Sequence, residues 1–182
     1  MKRRALLGLA VVAAPILLGV RAPSADRILA AIVGGASASA ILQGWCADHG
    51  LPPLTARRDR AAVKPPTPAV LAALGVRPGE PVGYRRVRLA CGMVILSEAD
   101  NWYVPARLTR QMNRQLAAND APFGLVTRPL HFTRHTLRAT RAPDGDHILE
   151  VTALLVSATG APFSYVIEDY RRELASKSAP GR

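Results

Sequence analysis

Cysteine is scarce in this chain, which has two such residues, Cys46 and Cys91, among 182. No histidine lies at ligand spacing from either of them, so the pair does not predict a metal site. Two interpretations stay open at this point. One is a single disulfide in an oxidising compartment, and the other is a pair of buried thiols, because sequence does not show whether the two side chains approach each other.

Several common catalytic motifs are also missing. The sequence has no glycine-rich phosphate loop, no serine nucleophile elbow and no His-Glu-x-x-His pair. Nucleotide-binding, serine hydrolase and zinc protease classes therefore have no support, and we predict no metal.

Acidic residues are few, with 13 Asp and Glu against 24 Lys and Arg, and the net charge is +11. So basic a chain invites a nucleic-acid interpretation. However, its cations are mostly arginines scattered over predicted strands and loops, without aromatic interleaving or a recognisable nucleic-acid module. We predict no nucleic-acid partner, because a small anionic ligand is served equally well by such a surface.

The first 25 residues have the layout of a secretory signal peptide. Lys2, Arg3 and Arg4 precede an apolar run, Ala5–Val20, that is followed by small residues. The run is too short and too interrupted by glycine and proline for a confident membrane span. We expect residues 1–25 to be a signal peptide or an uncleaved N-terminal anchor, and the protein to be periplasmic or secreted, with membrane contact only through an uncut leader.

The remaining chain predicts one domain over residues 26–176 and a loose tail over 177–182. Its hydrophobic patterns favour helices before and just after a central pair of strands, and further strands late in the chain. We predict an α+β fold, with an antiparallel sheet of about six strands and helices packed on one face. The predicted helices are 28–50, 68–74 and 105–116; the predicted strands lie near 55–66, within 82–105, and at 130–140, 147–157 and 162–171.

Arginines alternate with apolar residues in the central strand. Arg86 and Arg88 share one face, and Val87 and Leu89 share the other. A solvated sheet face explains this pattern, since arginine is mostly exposed. An anion clamp also explains it, because a guanidinium fits a carboxylate with two parallel hydrogen bonds.

An acid in the last strand is the second candidate. Glu168 follows two β-branched residues, and an acid on the inner face of a strand is costly unless it has a partner. It either forms a salt bridge with an arginine or contacts a ligand hydroxyl or proton. His131 and His135 are predicted on one strand face but about 13 Å apart, too far for a shared metal.

Four short motifs carry a family resemblance. They are the run from Leu74 to Leu89, the Trp-Tyr-Val-Pro of 102–105, the Ala-Pro-Phe-Gly of 121–124 and the Gly-Ala-Pro-Phe of 160–163. In order and spacing, the segment from Leu51 to Leu174 resembles the chorismate lyase superfamily. That superfamily joins chorismate pyruvate-lyases and the effector-binding UTRA domains of GntR-type regulators.

The resemblance implies a site for a small carboxylate. The carboxylate-binding arginine of the lyases falls on Arg86, and their turn with a carboxylate-binding backbone N–H falls on Phe123 and Gly124. Their late glutamate, which contacts the ring hydroxyl, falls on Glu168.

Two features depart from the lyases. The spacing from Pro162 to Glu168 is one residue longer here, which reverses the face of Glu168 unless a bulge restores it. The second arginine of the lyases is replaced here by Asn101, so a cation for a dicarboxylate is missing unless Arg88 or Arg134 supplies it.

The resemblance implies two functions. The first is elimination of pyruvate from chorismate to give 4-hydroxybenzoate, with Arg86 and Glu168 as catalytic residues and no cofactor, because aromatisation drives the reaction. The second is a non-catalytic exported protein that binds a small aromatic carboxylate such as 4-hydroxybenzoate. A regulator is harder to sustain, because no helix-turn-helix precedes the predicted sheet. The oligomeric state is not predicted.

Overall fold

The computed structural model describes residues 25–141 and 145–176. The predicted leader, apart from its last residue, and the predicted tail lie outside these ranges. Within them, no helix is long and apolar enough to cross a membrane.

The domain is built on one antiparallel sheet of six strands, in the order β1-β2-β3-β6-β5-β4. The predicted α+β fold is confirmed. The strands are β1 Leu54–Asp59, β2 Gly83–Cys91, β3 Val94–Tyr103, β4 Thr133–Arg141, β5 His147–Val156 and β6 Pro162–Arg171.

Alternation of side chains divides the sheet into two faces. In β2, Val87 and Leu89 are buried on one side, here called the inner face, and Arg86 and Arg88 lie on the other, the outer face. The apolar side chains form strands because their burial on one face removes them from water.

Five α-helices accompany the sheet: α1 Ala25–Val33, α2 Ala38–Asp48, α3 Pro68–Leu74, α4 Arg110–Ala118 and α5 Phe123–Val126. The single helix predicted over 28–50 is thus two, separated at Gly34 and Gly35. Gly35 has φ +92°, and a Cβ there would lie 2.6 Å from the carbonyl oxygen of Arg134. Only glycine permits both this conformation and this close approach of the loop to β4.

The main core lies between the inner face and the first two helices. Ile32 of α1 and Leu42 and Trp45 of α2 pack with Val151 and Tyr170 of the sheet. A second cluster joins α4 and α5 to the sheet.

The outer face is covered in part by α3. Its Val70 and Leu74 pack with Trp102 and its neighbours. Helices therefore occur on both faces of the sheet, with α1 and α2 on the inner face and α3 on the outer face.

A disulfide joins Cys46 of α2 to Cys91 at the end of β2. Of the two interpretations that the sequence leaves open, the structure has the disulfide. It fixes α2 to the sheet across 45 positions of sequence.

Candidate functional site

A cavity of about 50 Å³ lies between the inner face, the start of α2 and α5. Strands supply most of its wall, and α2 contributes Ser37, Ala38 and Ser39. The apolar part of the wall consists of Ala38, Val87, Leu89, Ala99, Phe123, Phe132, Leu155 and Val166. The wall is apolar, but the cavity is smaller than the roughly 150 Å³ that holds benzene inside a protein, so an aromatic ligand requires it to widen.

Phe123 and Gly124 both line this cavity, at the start of α5. Pro122 precedes them and ends the incoming loop. A Cβ on Gly124 would lie 2.9 Å from Ser39 Oγ, so glycine allows α5 and α2 to pack closely. The structure brings this predicted turn to the cavity.

Glu168 and Arg134 also line the cavity, and they form a buried ion pair with each other. Tyr170 donates a second hydrogen bond to Glu168 Oε2, at 2.7 Å. Burial alone would lower the pKa of Arg134, but the charge of Glu168 outweighs it and the pKa is raised. Burial and the same carboxylate raise the pKa of Tyr170 well above its usual value. Glu168 therefore has the salt-bridge role that the sequence offered as one alternative.

Arg86 and Arg88 do not face the cavity, which corrects their predicted place in the ligand site. Arg86 contacts Asp100 at 3.2 Å and Glu98 at 3.4 Å on the outer face, and Arg88 lies 3.6 Å from Glu98. The expectation that Arg86 and Glu168 converge is wrong. The cause is register, because shifting a strand assignment by one residue reverses the face of every side chain.

Arg85, which the motif comparison passed over, is the arginine on the inner face. It is 1% exposed, and none of its three guanidinium nitrogens has a hydrogen-bond partner among the described residues. It lies directly opposite Asn101 in β3 and two residues from Val87, and both of these line the cavity. Burial, followed by the charge of Arg58, lowers its pKa.

A simple signal for Arg85 was present in the sequence. Val87 and Leu89 define the buried face, so position 85 must share it by alternation. The resemblance directed attention to Arg86 instead.

The predicted histidine arrangement is also different in the structure. β4 begins at Thr133, so His131 precedes the strand and only His135 lies on it. His135 is exposed and contacts Thr133 at 3.1 Å. No group of histidines, cysteines and acids within the described residues could hold a metal.

The cavity thus combines an apolar wall, the neutral amide of Asn101 and the ion pair of Arg134 with Glu168. Arg85 does not line the cavity; it is buried next to Asn101 and Val87, which do. The pair has no net charge, whereas Arg85 has one positive charge without a partner. This arrangement is suited to binding an organic anion.

Comparisons with known proteins give one relative in sequence and several in fold. The chain is 39% identical over 175 residues to the uncharacterized protein y4mC of Sinorhizobium fredii, covering 82% of this chain and 74% of that protein. No protein-family model matches the sequence.

Among solved structures, PhnF of Mycobacterium smegmatis has a TM-score of 0.55 at 11% identity and covers 74% of this chain. This chain spans 64% of PhnF, a little under two thirds of its length. The separately solved effector domain of PhnF has a TM-score of 0.54 at 11% identity, covering 72% of this chain and 88% of that domain. These similarities show the fold, which is that of the chorismate lyase-like ligand-binding domains of GntR-family regulators.

Proposed function

The chain belongs to the family of the uncharacterized protein y4mC, and from its site we propose that it is a non-catalytic binding protein for a small organic anion. Aromatic carboxylates such as 4-hydroxybenzoate are the simplest ligands of this class. The inner-face cavity is the proposed binding site.

The state of Arg85 carries the proposal. A charge that is buried without a partner costs several kcal/mol, on the order of half the stability of an ordinary domain. Arg85 is 1% exposed, and its guanidinium has no acceptor among the described residues. A bound anion would supply the missing acceptors and recover this cost.

The neighbours of Arg85 favour an anion that has an apolar body. Asn101 Oδ1 accepts a hydrogen bond from Ser164 Oγ at 2.7 Å, which leaves its amide N–H donors for a ligand oxygen. Val87 and Val166 then provide an apolar wall for the rest of the molecule. Arg134 and Glu168 lie beyond them and offer polar contacts to a distal hydroxyl.

Three features support binding over chorismate turnover. The Oε2 atom of Glu168 already accepts from Arg134 and Tyr170. Arg86, the other catalytic candidate, is on the outer face. Asn101 provides no second positive charge for a dicarboxylate.

Calorimetric titration of the purified protein with benzoate and 4-hydroxybenzoate tests the proposal. We expect Arg85→Gln to weaken binding at least about tenfold, because a hydrogen bond to a charged group contributes about 1.5–3 kcal/mol. The matched control is Arg86→Gln, one residue along on the opposite face, and it should change affinity less than about twofold. Thermal unfolding of both variants without ligand checks that they fold.

Two results would contradict this proposal. One is equal binding by the wild type and Arg85→Gln. The other is release of pyruvate from chorismate by the wild type that Arg85→Gln abolishes, which would establish the lyase activity instead.

We also propose that the protein acts outside the cytoplasm. The signal-like composition of residues 1–25 supports this location. The Cys46–Cys91 disulfide supports it independently, because disulfides persist mainly in oxidising compartments.

A further inference from the structure

A second space, here called the side hollow, adjoins the inner-face cavity. Its volume is about 240 Å³, and its wall includes Gly35 and Ala40 around the start of α2, Leu125 and Arg128 in and after α5, and His131 before β4. Arg128 and His131 are exposed, so the side hollow reaches the surface. None of its lining residues in the described part of the chain is acidic, so the hollow does not repel an organic anion.

Three residues line both the cavity and the side hollow, namely Ser37, Gly124 and Phe132. They are also the three lining residues of the cavity that are not buried, whereas the rest of its wall is buried. Ser37 has a small side chain and Gly124 has none. The phenyl ring of Phe132 is therefore the one large group among the residues that separate the two spaces.

The other parts of the cavity wall are held in place. The strand residues lie in the hydrogen-bonded ladders of the sheet, and the Cys46–Cys91 disulfide fixes α2 to β2. Phe123 is 9% exposed, and its ring packs against those of Tyr103 and Phe163, at 5.5 and 6.2 Å between centroids. Widening the cavity on any of these sides would break backbone hydrogen bonds, the covalent link or buried packing.

Phe132 has fewer constraints than these residues. It precedes β4, whose pairing with β5 begins at Thr133, so its backbone lies outside the ladder. Its ring is half-buried and meets Phe163 edge-on, at 5.7 Å between centroids. Rotation to another staggered rotamer would move this ring without breaking a backbone hydrogen bond of the sheet.

The residue before Phe132 has a strained backbone. His131 has φ +46° and ψ +46°, in the left-handed region that residues other than glycine rarely adopt. Such conformations persist where the surrounding structure imposes them, and they cluster at ligand-binding segments. The strain lies at the turn from which the Phe132 ring projects between the two spaces.

We propose that the cavity and the side hollow are two parts of one binding site, and that Phe132 divides them and determines how long an organic acid the site accepts. This inference rests on the proposed function and extends its ligand class from one-ring acids to elongated acids of about two rings. The cavity alone, at about 50 Å³, is smaller than the roughly 150 Å³ that holds benzene inside a protein. With the ring turned aside, the ligand body extends from the cavity into the side hollow, and its path from solvent passes Arg128 and His131.

Titration with two carboxylates of different length tests this assignment. Benzoate has one ring, and biphenyl-4-carboxylate adds a second ring in line with the first. The measured quantity is the affinity for biphenyl-4-carboxylate divided by the affinity for benzoate, because a general change in the fold or in carboxylate binding affects both ligands alike. Phe132→Ala should raise this ratio at least about tenfold over the wild type, since the second ring then has an open apolar space to enter. Phe132→Trp, with a larger ring at the same position, should lower the ratio.

Leu130→Ala is the matched control. Leu130 packs against the same apolar cluster as Phe132 but lines neither space. Its substitution removes a similar apolar group without opening the passage, so the ratio should stay within about twofold of the wild type. Phe132→Leu keeps an apolar contact with Phe163 and should raise the ratio at least about threefold, which tests the assignment even if Phe132→Ala does not fold. Thermal unfolding without ligand checks each variant.

The two proposals fail in different ways. If benzoate binds in an Arg85-dependent way but the ratio is the same in the wild type and in all the Phe132 variants, the division at Phe132 is overturned and the proposed function stands. An equal rise of the ratio in Leu130→Ala also overturns it, because general loosening of the cluster would then explain the effect. If neither carboxylate binds to the wild type or to the Phe132 variants, both proposals fall.

Discussion

At the scale of single residues, Glu168 and Arg134 show how a polar pair is accommodated inside the domain. Both side chains are more than nine-tenths buried, and each is the other's charged partner. Such a pair adds little net stability, because the cost of removing both charges from water is comparable to their attraction. Removing one partner is different, since the remaining charge is left buried and uncompensated.

We therefore expect Glu168→Gln to lower the free energy of unfolding by about 3–5 kcal/mol. Urea denaturation followed by circular dichroism measures this loss. The double variant Arg134→Met with Glu168→Gln should be closer to the wild type than Glu168→Gln alone, because it removes both charges together and keeps an acceptor for the Tyr170 hydroxyl. A small effect of Glu168→Gln, under about 1 kcal/mol, would show that Arg134 finds another partner or water.

At the scale of elements, the disulfide determines how α2 is held over the sheet. Cys46 lies near the end of the helix, and Ser37 and Ser39 at its start line the cavity. The covalent bond to Cys91 thus stabilises the helix whose other end forms part of the proposed site.

Replacing both cysteines by alanine should lower the free energy of unfolding by about 4 kcal/mol, from the chain entropy of a closed loop of this length. Chemical denaturation of the oxidised wild type and the double variant measures the difference. Reduction of the wild type should give a similar loss. Equal stability of the oxidised and reduced protein would contradict a structural role for this bond.

At the scale of the whole molecule, the excess of basic residues is connected with the proposed location outside the cytoplasm. The net charge of +11 is not accompanied by a nucleic-acid motif, and four of the basic residues lie in the first 21 positions. We propose that those residues serve export, as the charged start of a signal peptide. The charge of the folded domain is then available for anionic ligands.

A fusion of residues 1–35 to an alkaline phosphatase without its own leader tests export. We expect phosphatase activity in cells, because that enzyme needs an oxidising compartment to form its disulfides. The control replaces Val11 and Val12 by arginine in the centre of the apolar run, which should abolish the activity. Full activity of the control, or none from the unaltered leader, would contradict export.

Much of the fold and part of the site could be predicted from local sequence. Thr67-Pro68 begins α3 and Gly75 ends it in the left-handed conformation, as the capping pattern requires. Turn residues likewise placed the strands β5 and β6 close to their observed limits. These features depend on neighbours in the chain, so the sequence displays them directly.

The face on which a candidate residue lies could not be taken from a motif. Arg86 was selected by the resemblance to the lyases, but the alternation anchored by Val87 puts Arg85 on the inner face. A motif match can be shifted by one residue and still look acceptable. In a strand, the same shift places the side chain on the opposite face of the sheet.

The sequence by itself determined the fold class, because hydrophobic period, caps and turns are local properties of the chain. Only the tertiary structure decided that Arg85 has no hydrogen-bond partner among the described residues, that Arg134 neutralises Glu168, and that Arg58 lies beside Arg85. Those relations join residues that are tens of positions apart. They depend on strand order and register, which are set by packing of the whole sheet and not by any single segment.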